Sequence, residues 1–451
     1  MSGMTATPAW QASTLTDAEH AKQLRRAVIA STIGTTIEWY DFFIYGTVTG
    51  LVFAKLYFPH SDPLTGTLEA FTIYAVGFVA RPVGAAIFGH WGDRLGRKSA
   101  LIATLMLMGI ATFLVGLVPT YDSIGIWGAV ALTALRFIQG VGVGGEWGGS
   151  VLMSMEWARS SKHRGFVASW PQFGVPSGLF LSNIAVLLFS TLSGDAFLTW
   201  GWRIPFLLSI VLVGIGLWIR LGILESPVFQ KLLNEDRIEA TPVTEVFRLQ
   251  AKQVFLSAFA RMGEQAPFYI FTAFVFSYGV GTLHVSRDML LLSVLVASCV
   301  SFVTIPLAGH LSDRFGRKRI YVIGTVMTLV FGWIYFGLLN TAMPFWVFIA
   351  IVASLIPHDT MYGPQAALIA ESFTGRLRYS GASIGYQLAS IIAGGPAPLI
   401  ATALLATYHS WVPIAVYISV CCVISLIAVA MMTDYTNQDI SGEYDAPLSP
   451  E

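Results

Sequence analysis

Two carboxylates, Glu38 and Asp41, stand one helical turn apart inside an apolar stretch, and arginines Arg81 and Arg136 stand inside two others. A carboxylate taken out of water holds a proton more tightly, and a guanidinium beside it loosens that hold. A guanidinium also grips a substrate carboxylate through two parallel hydrogen bonds. The four residues together could exchange a proton against an anion, with Asp41 as first proton site, Glu38 as second and Arg136 as carboxylate anchor. A fixed Asp41 to Arg136 bridge between two helices is the structural alternative. Arg81 reads either as a second anion contact or as the partner of Glu38. Further along, Arg261 and Glu264 are one turn apart and can neutralise each other, which competes with a coupling role for Glu264. His358 and Asp359 form another polar pair that could titrate or line a cavity. Tyr45 and Tyr386, with Gln139, Gln172 and Gln387, are candidates for the cavity wall, against a plain packing role between helices.

The elements that must carry these residues follow from composition. The chain has 451 residues, 55% of them hydrophobic and 12% charged, and a mean hydropathy of +0.67. That is more apolar side chain than one globular core needs, and it indicates a membrane protein. About 20 apolar residues span ~30 Å of hydrocarbon. On that ruler twelve spans fall near 27–54, 70–91, 99–118, 124–155, 165–192, 203–224, 251–282, 289–311, 319–339, 344–369, 380–408 and 411–433. They are expected to be helices, because lipid offers no partner to free backbone groups. The first is too long for a cleavable signal and is expected to stay. At ~1.5 Å per residue Glu38 lies ~17 Å and Asp41 ~21 Å above the cytoplasmic start of the first span and Arg136 ~15 Å below the outer end of the fourth, all in the middle third, while Arg81 lies ~18 Å deep, counted from Asp93.

Lys and Arg total 26, balanced by 26 Asp and Glu, so no basic excess points to nucleic acid. Their placement is uneven. Nineteen fall in the connections on one side and three on the other, which puts both termini in the cytoplasm of an expected inner-membrane protein. Two cassettes lie on the basic side, GHWGDRLGRK at 89–98 and GHLSDRFGRK at 309–318, identical at seven of ten positions. Glu156 and Glu371, Arg164 and Arg378, Gln172 and Gln387, and Glu38 and Glu264 recur at similar offsets. A polar stretch at 225–250 divides the spans six and six. The expected organisation is an N-terminal tail (1–26), a first bundle (27–224), a cytoplasmic linker (225–250), a second bundle (251–433) and a C-terminal tail (434–451). Such a parallel repeat implies two domains rocking about a central site.

Asp93, Arg94, Arg97, Glu146, Glu156, Arg164 and Glu225 in the first half, with Asp313, Arg314, Arg317, Glu371 and Arg378 in the second, bring opposite charges to the inner helix ends. They are expected to latch the cytoplasmic gate and to part when it opens. Topogenesis alone would require only the basic residues. GVGVGG at 140–145 fits a dinucleotide loop but lies within a span without a preceding strand, so close helix packing is expected there. GGPAP at 394–398 breaks the eleventh span and reads as a hinge. Cys299, Cys421 and Cys422 lack the spacing of a disulfide framework or zinc site, and neither metal nor cofactor is expected.

The doubled cassette and RFIQG at 136–140 resemble signatures of the major facilitator superfamily. Within it EWYDFFIYG (38–46), WGWRIPF (200–206) and YSGASIGYQLASIIAGG (379–395) resemble the metabolite:proton symporters. That resemblance implies an all-α fold of two six-helix bundles and proton-driven uptake of shikimate, other small organic acids, or proline and betaine. A lipid-embedded monomer whose partners are a small-molecule substrate and protons is expected. A uniporter and a non-transporting sensor on the same scaffold are the alternatives. An ATP-driven pump is disfavoured because no Walker sequence occurs.

Overall fold

Residues 16–61, 63–158, 163–234 and 241–438 are described by the computed structural model, and no strand occurs among them. Residues 1–15 and 439–451 of the expected tails, 235–240 of the expected linker, and Arg159 and Lys162 lie outside the described residues. Six long helical runs, with short helical turns between some of them, precede the stretch expected to link the halves. α1 is Asp17–Val48 with a π turn at Thr49–Phe53; α2 is Pro63–Leu95, α3 Arg97–Val115 and α4 Trp127–Glu156. α5 runs from Arg164–Gln172 into Gly174–Ser193, and α6 from Ile204–Leu207 into Ser209–Leu221.

Two short helices, Pro227–Asn234 and Pro242–Leu249, lie in the expected linker. α7 follows as Ala251–Ala260, Met262–Tyr269, a π turn at Ile270–Phe274, and Val275–Gly281. α8 is Arg287–Phe315, α9 Arg317–Leu339 and α10 Pro344–Ala370. α11 is Arg378–Ala389, a π turn at Ser390–Gly394, and Pro396–Tyr408; α12 is Val412–Met431.

Ten of these helices are long and apolar enough to cross a membrane by composition alone. The other two are α1 and α7, the first helix of each half, whose apolar character is diluted by Glu38 and Asp41 and by Arg261 and Glu264. Polarity where hydropathy should be highest thus marks the two helices that carry the candidate chemistry.

Where helix ends differ from expectation, the cause is that hydropathy locates lipid rather than helix. α1 starts at Asp17, not 27, because Thr16 and Glu19 close a capping box: Glu19 N–H donates to Thr16 Oγ1 at 3.3 Å and Thr16 N–H donates to Glu19 Oε2 at 2.9 Å. α2 starts at Pro63, not 70. GGPAP does not break α11 outright. The turn before it widens into π geometry, and Gly395 N–H reaches Ser390 O at 3.0 Å, so the backbone is satisfied through a local bulge.

Each cassette is a corner between two helices. Gly96 and Gly316 have φ of 106° and 97°, a region closed to residues with a Cβ, and there α2 turns into α3 and α8 into α9. GVGVGG is helical and packs α4 directly on α2: a Cβ on Gly144 would stand 2.0 Å from Arg81 O. The motif therefore forms no loop, and backbone contact explains it.

Candidate functional site: a latched face and a buried polar centre

On the face that carries the cassettes, the carboxylate of each cassette caps a helix of the opposite half. Asp93 accepts from the backbone N–H of Tyr379 at 3.3 Å and Ser380 at 2.9 Å, at the start of α11. Asp313 accepts from Gly165 and Phe166, both at 2.8 Å, at the start of α5. An anion at a helix N-terminus meets unpaired N–H groups and the positive end of the dipole, so each contact is charge-assisted. Arg97 and Arg317, four residues on, hold these carboxylates at 2.9 Å.

Glu156 and Glu371 complete the network. Arg164 reaches across to Glu371 at 2.9 Å, and Arg317 binds the same carboxylate at 2.5 Å. In the related position, Arg97 lies 3.6 Å and Arg378 3.7 Å from Glu156. Arg97 also donates to Gly375 O at 3.2 Å, in the other half. All of these groups are buried, so the face is shut.

Four expected gate residues, Arg94, Arg314, Glu146 and Glu225, lie elsewhere. Arg94 and Arg314 are exposed; Arg94 meets His90 at 3.2 Å, and Arg314 lies over Phe315. They sit one residue after the cassette aspartates, on the outward side of the corner. Glu146 lies deeper in the first half, paired with Arg220 of α6 and accepting from Thr104 at 2.7 Å and Ser150 at 3.0 Å. It holds α3, α4 and α6 together and does not reach the second half. Glu225 binds within its own half, accepting from Lys98 N–H at 3.1 Å and Ser226 N–H at 2.9 Å. Burial pushes its carboxyl above the usual range, against the Ser226 N–H and the Arg97 charge, which pull it down. Its counterpart is Asp434, which accepts from Lys318 N–H at 3.3 Å. The cassette lysines close the matching helix ends, Lys98 Nζ on Leu221 and Ile223 carbonyls and Lys318 Nζ on Ala430 and Met432 carbonyls.

Deeper in, the indole of Trp147 stacks on the Tyr386 ring, centroids 3.6 Å apart and planes at 15°. Arg261 lies 3.4 Å from the same ring centroid. Two groups that close to one centroid must take opposite faces, so the phenol is sandwiched between the halves. Trp147 Nε1 donates to Gln172 Oε1 at 2.7 Å, and Gln172 Nε2 donates to Tyr362 O at 3.2 Å. This layer seals the centre from the latch. Gln387 is turned into the α11 bulge, accepting from Ser390 at 3.2 Å.

In the centre of the first half Asp41 and Arg136 do not touch. Thr112 Oγ1 donates to Asp41 Oδ2 at 3.0 Å, Gln139 Nε2 donates to Thr112 Oγ1 at 2.7 Å, and Arg136 Nη1 donates to Gln139 Oε1 at 2.5 Å. A hydroxyl and an amide thus separate acid from base. Asp41 Oδ1 and Arg136 Nη2 are buried without a hydrogen-bond partner among the described residues, as are Glu38 Oε2 and Arg81 Nη2. Both guanidiniums lie against aromatic faces: Arg136 over Tyr45 at 4.4 Å and Tyr74 at 4.6 Å, Arg81 over Phe42 at 4.5 Å and Phe78 at 4.7 Å. Quadrupole attraction partly offsets their desolvation, and a free N–H on each remains for an anion. The Tyr45 hydroxyl is also unpartnered. Glu38 and Arg81 form no ion pair among the described residues.

The centre of the second half is arranged differently. Arg261 pairs with Glu264 at 3.3 Å and donates to Gln365 Oε1 at 3.2 Å and Tyr386 O at 2.5 Å. All three nitrogens of this guanidinium are engaged, unlike those of Arg81 and Arg136. Sequence reasoning passed over Thr112, Trp147 and Asp434. Asp434 had a legible signal, an acid just after α12 as Glu225 is just after α6. Thr112 had none, since a threonine in a span ordinarily bonds its own backbone, as it also does here to Met108 O.

Residues 27–254 match the family described as Sugar (and other) transporter, and residues 255–450 the one described as Major Facilitator Superfamily. The chain is 42% identical over 417 residues to the shikimate transporter of Escherichia coli (strain K12), covering 91% of this chain and 94% of that protein. It is 33% identical over 430 residues to the proline/betaine transporter of the same strain, covering 93% and 85%. The proton:xylose symporter XylE bound to 6-bromo-6-deoxy-D-glucose has the same fold, with a TM-score of 0.76 at 16% identity over 94% of this chain and 98% of that one. The chain therefore belongs to the major facilitator superfamily. It is a multi-pass membrane transporter of small metabolites built from two six-helix bundles, and not an enzyme.

Proposed function

We propose that the protein is a proton-coupled symporter that imports a small organic acid of the shikimate type across the inner membrane by alternating access. The observation that carries this reading is the paired set of unpartnered groups in the first half: Arg136 Nη2 and Arg81 Nη2 beside Asp41 Oδ1 and Glu38 Oε2. A substrate carboxylate entering at Arg136 would draw on Gln139 and the Tyr45 hydroxyl. Its charge would pass to Asp41 through Gln139 and Thr112, favouring protonation of that acid. Glu38 is the second proton site and Arg81 the second anion contact, with Tyr386, Gln172 and Gln387 closing the chamber below. Glu264 belongs to the coupling machinery through its place in the repeat.

The latched face is the cytoplasmic gate, with both termini on that side, and the units are those divided at 225–250. The carrier works as a monomer. A zwitterion such as proline or betaine is the second reading, favoured by the aromatic faces around both guanidiniums, which suit a quaternary ammonium, and by the proline/betaine transporter. Uptake of labelled shikimate and labelled betaine into proteoliposomes, with and without an inward pH gradient, tests both. Gradient-driven accumulation of shikimate is expected; accumulation of betaine alone would select the second reading, and equilibration without gradient stimulation would defeat symport.

A further inference from the structure

In the second half, His358 of α10 stands between two acids. Its Nε2 is 3.1 Å from Glu264 Oε1 on α7, and its Nδ1 is 2.9 Å from Asp359 Oδ1. All three side chains are buried. We propose that Glu264, His358 and Asp359 form a proton-binding site separate from Asp41, loading one proton when α7 and α10 close together and releasing it when they part. The cycle it implies rests on the symport reading above.

Counting protons supports this directly. A nitrogen and a carboxylate oxygen at hydrogen-bond distance need one proton between them, and here two such lines converge on one ring. A neutral imidazole carries a single N–H. It would leave a nitrogen lone pair against an anionic oxygen, at a distance of 2.9 or 3.1 Å that leaves no space for a third group between them. Filled with two protons, the imidazolium donates to both acids, and with Arg261 the cluster of two cations and two anions is neutral. Without the second proton it holds one unbalanced buried charge.

The surroundings are built for the filled state. Glu264 Oε2 receives Arg261 at 3.3 Å and Gln365 Nε2 at 3.1 Å, and Thr304 of α8 donates to Asp359 Oδ2. The ring faces are covered by Phe268, at 4.7 Å between centroids, and Tyr362, at 5.1 Å. The titratable groups on the remaining neighbours, among the described residues, are phenols and a thiol: Tyr321 of α9 on Gln365, Tyr386 of α11 on the Tyr362 hydroxyl, and Cys422 of α12, 4.0 Å from Gly263 O. No second cation faces the imidazole besides Arg261, among the described residues.

The site also has a means of opening. α7 contains Pro267 in the segment that carries Glu264 and passes into a π turn at Ile270–Phe274. Helices bend at such places. Bending there would draw Glu264 and Phe268 off the imidazole together, removing the acceptor and one cover of the ring in one movement. The released proton would leave in addition to the one at Asp41, so the carrier would move more than one proton per substrate.

Two measurements on the full chain test this. In lipid nanodiscs, 15N-histidine spectra with His358 assigned by His358→Gln should show two N–H protons on that ring at neutral pH. Glu264→Gln at the same pH should show one. A single N–H in the wild type overturns the site. In proteoliposomes, the shikimate gradient that just balances the proton gradient gives the coupling ratio, expected to fall by one proton in His358→Gln and, should that variant be unstable, in Glu264→Gln. An unchanged ratio overturns the coupling role. Absence of any gradient-driven shikimate uptake would defeat the symport reading instead, and the spectra would still decide whether the site holds its proton.

Discussion

Asp41 and Arg136 are joined by two neutral side chains rather than by a salt bridge, and that difference decides what each can do. A direct pair would keep the acid ionised and the guanidinium occupied; the Thr112 and Gln139 spacer leaves one oxygen and one N–H open. Asp41→Asn is therefore expected to abolish pH-driven shikimate accumulation while preserving exchange of labelled for unlabelled substrate. Retained accumulation in a filled-vesicle assay would remove Asp41 from the proton path. Arg136→Lys keeps the charge but loses the planar fork, and an apparent affinity for shikimate weaker by ~10-fold or more is expected, since a hydrogen bond to a charged group contributes ~1.5–3 kcal/mol.

Glu225 gives a pH dependence with a defined sign. Its carboxyl is raised by burial in the folded protein, so the folded state holds that proton more firmly than the unfolded chain does. The stability it contributes is full below the ordinary carboxylate value of ~4.3 and is lost as pH rises through the raised value. Glu225→Gln should flatten that part of the melting-temperature profile, read by differential scanning fluorimetry; an unaltered profile would mean the group is not buried in solution. The polar residues were legible one by one in the sequence. Their partners were not, because a hydrogen bond such as Thr112 to Asp41 spans 71 positions and no local pattern encodes it.

Helices α2 and α4 meet without side chains between them. Gly84 has Val141 O 1.9 Å from where its Cβ would stand, and Gly144 has Arg81 O at 2.0 Å. Gly144→Leu should force the pair apart and cost at least the ~1–3 kcal/mol of ordinary overpacking, seen as a drop in melting temperature of several degrees. Normal stability would show that the two helices can separate without penalty. This contact carries Arg81 and Arg136 on facing helices, so packing sets the spacing of the two anion contacts. Helix number and order were readable from hydropathy and turn residues. The π turns in α1, α7 and α11 were not, apart from the GGPAP signal, since a widened turn depends on what packs beside it.

Over the whole molecule, two related latches shut one face. Each latch couples an aspartate to a helix N-terminus in the other half, and Arg164 to Glu371 adds a crosslink at 2.9 Å. Asp93→Asn with Asp313→Asn keeps the size of both side chains and halves their acceptor strength. At ~1.5–3 kcal/mol per charge-assisted contact, the balance should move at least 10-fold toward the open face. Spin labels on the ends of α3 and α9 should report a longer distance population by double electron-electron resonance. An unchanged distribution would place the energy of closure elsewhere, in the Trp147 to Tyr386 layer.

The sequence by itself determined the class of molecule, the twelve crossings, the duplication and the identity of nearly every buried ion, because each depends on composition, run length or a repeated word. Tertiary structure alone decided the pairings. It placed Glu146 with Arg220 inside one half, left Arg94 and Arg314 in the open, inserted Thr112 between Asp41 and Gln139, and set His358 between two acids. The physical reason is one of range. Burial energy acts through the local apolar pattern, whereas a charge-assisted hydrogen bond is decided within ~3 Å, by which helices happen to lie side by side.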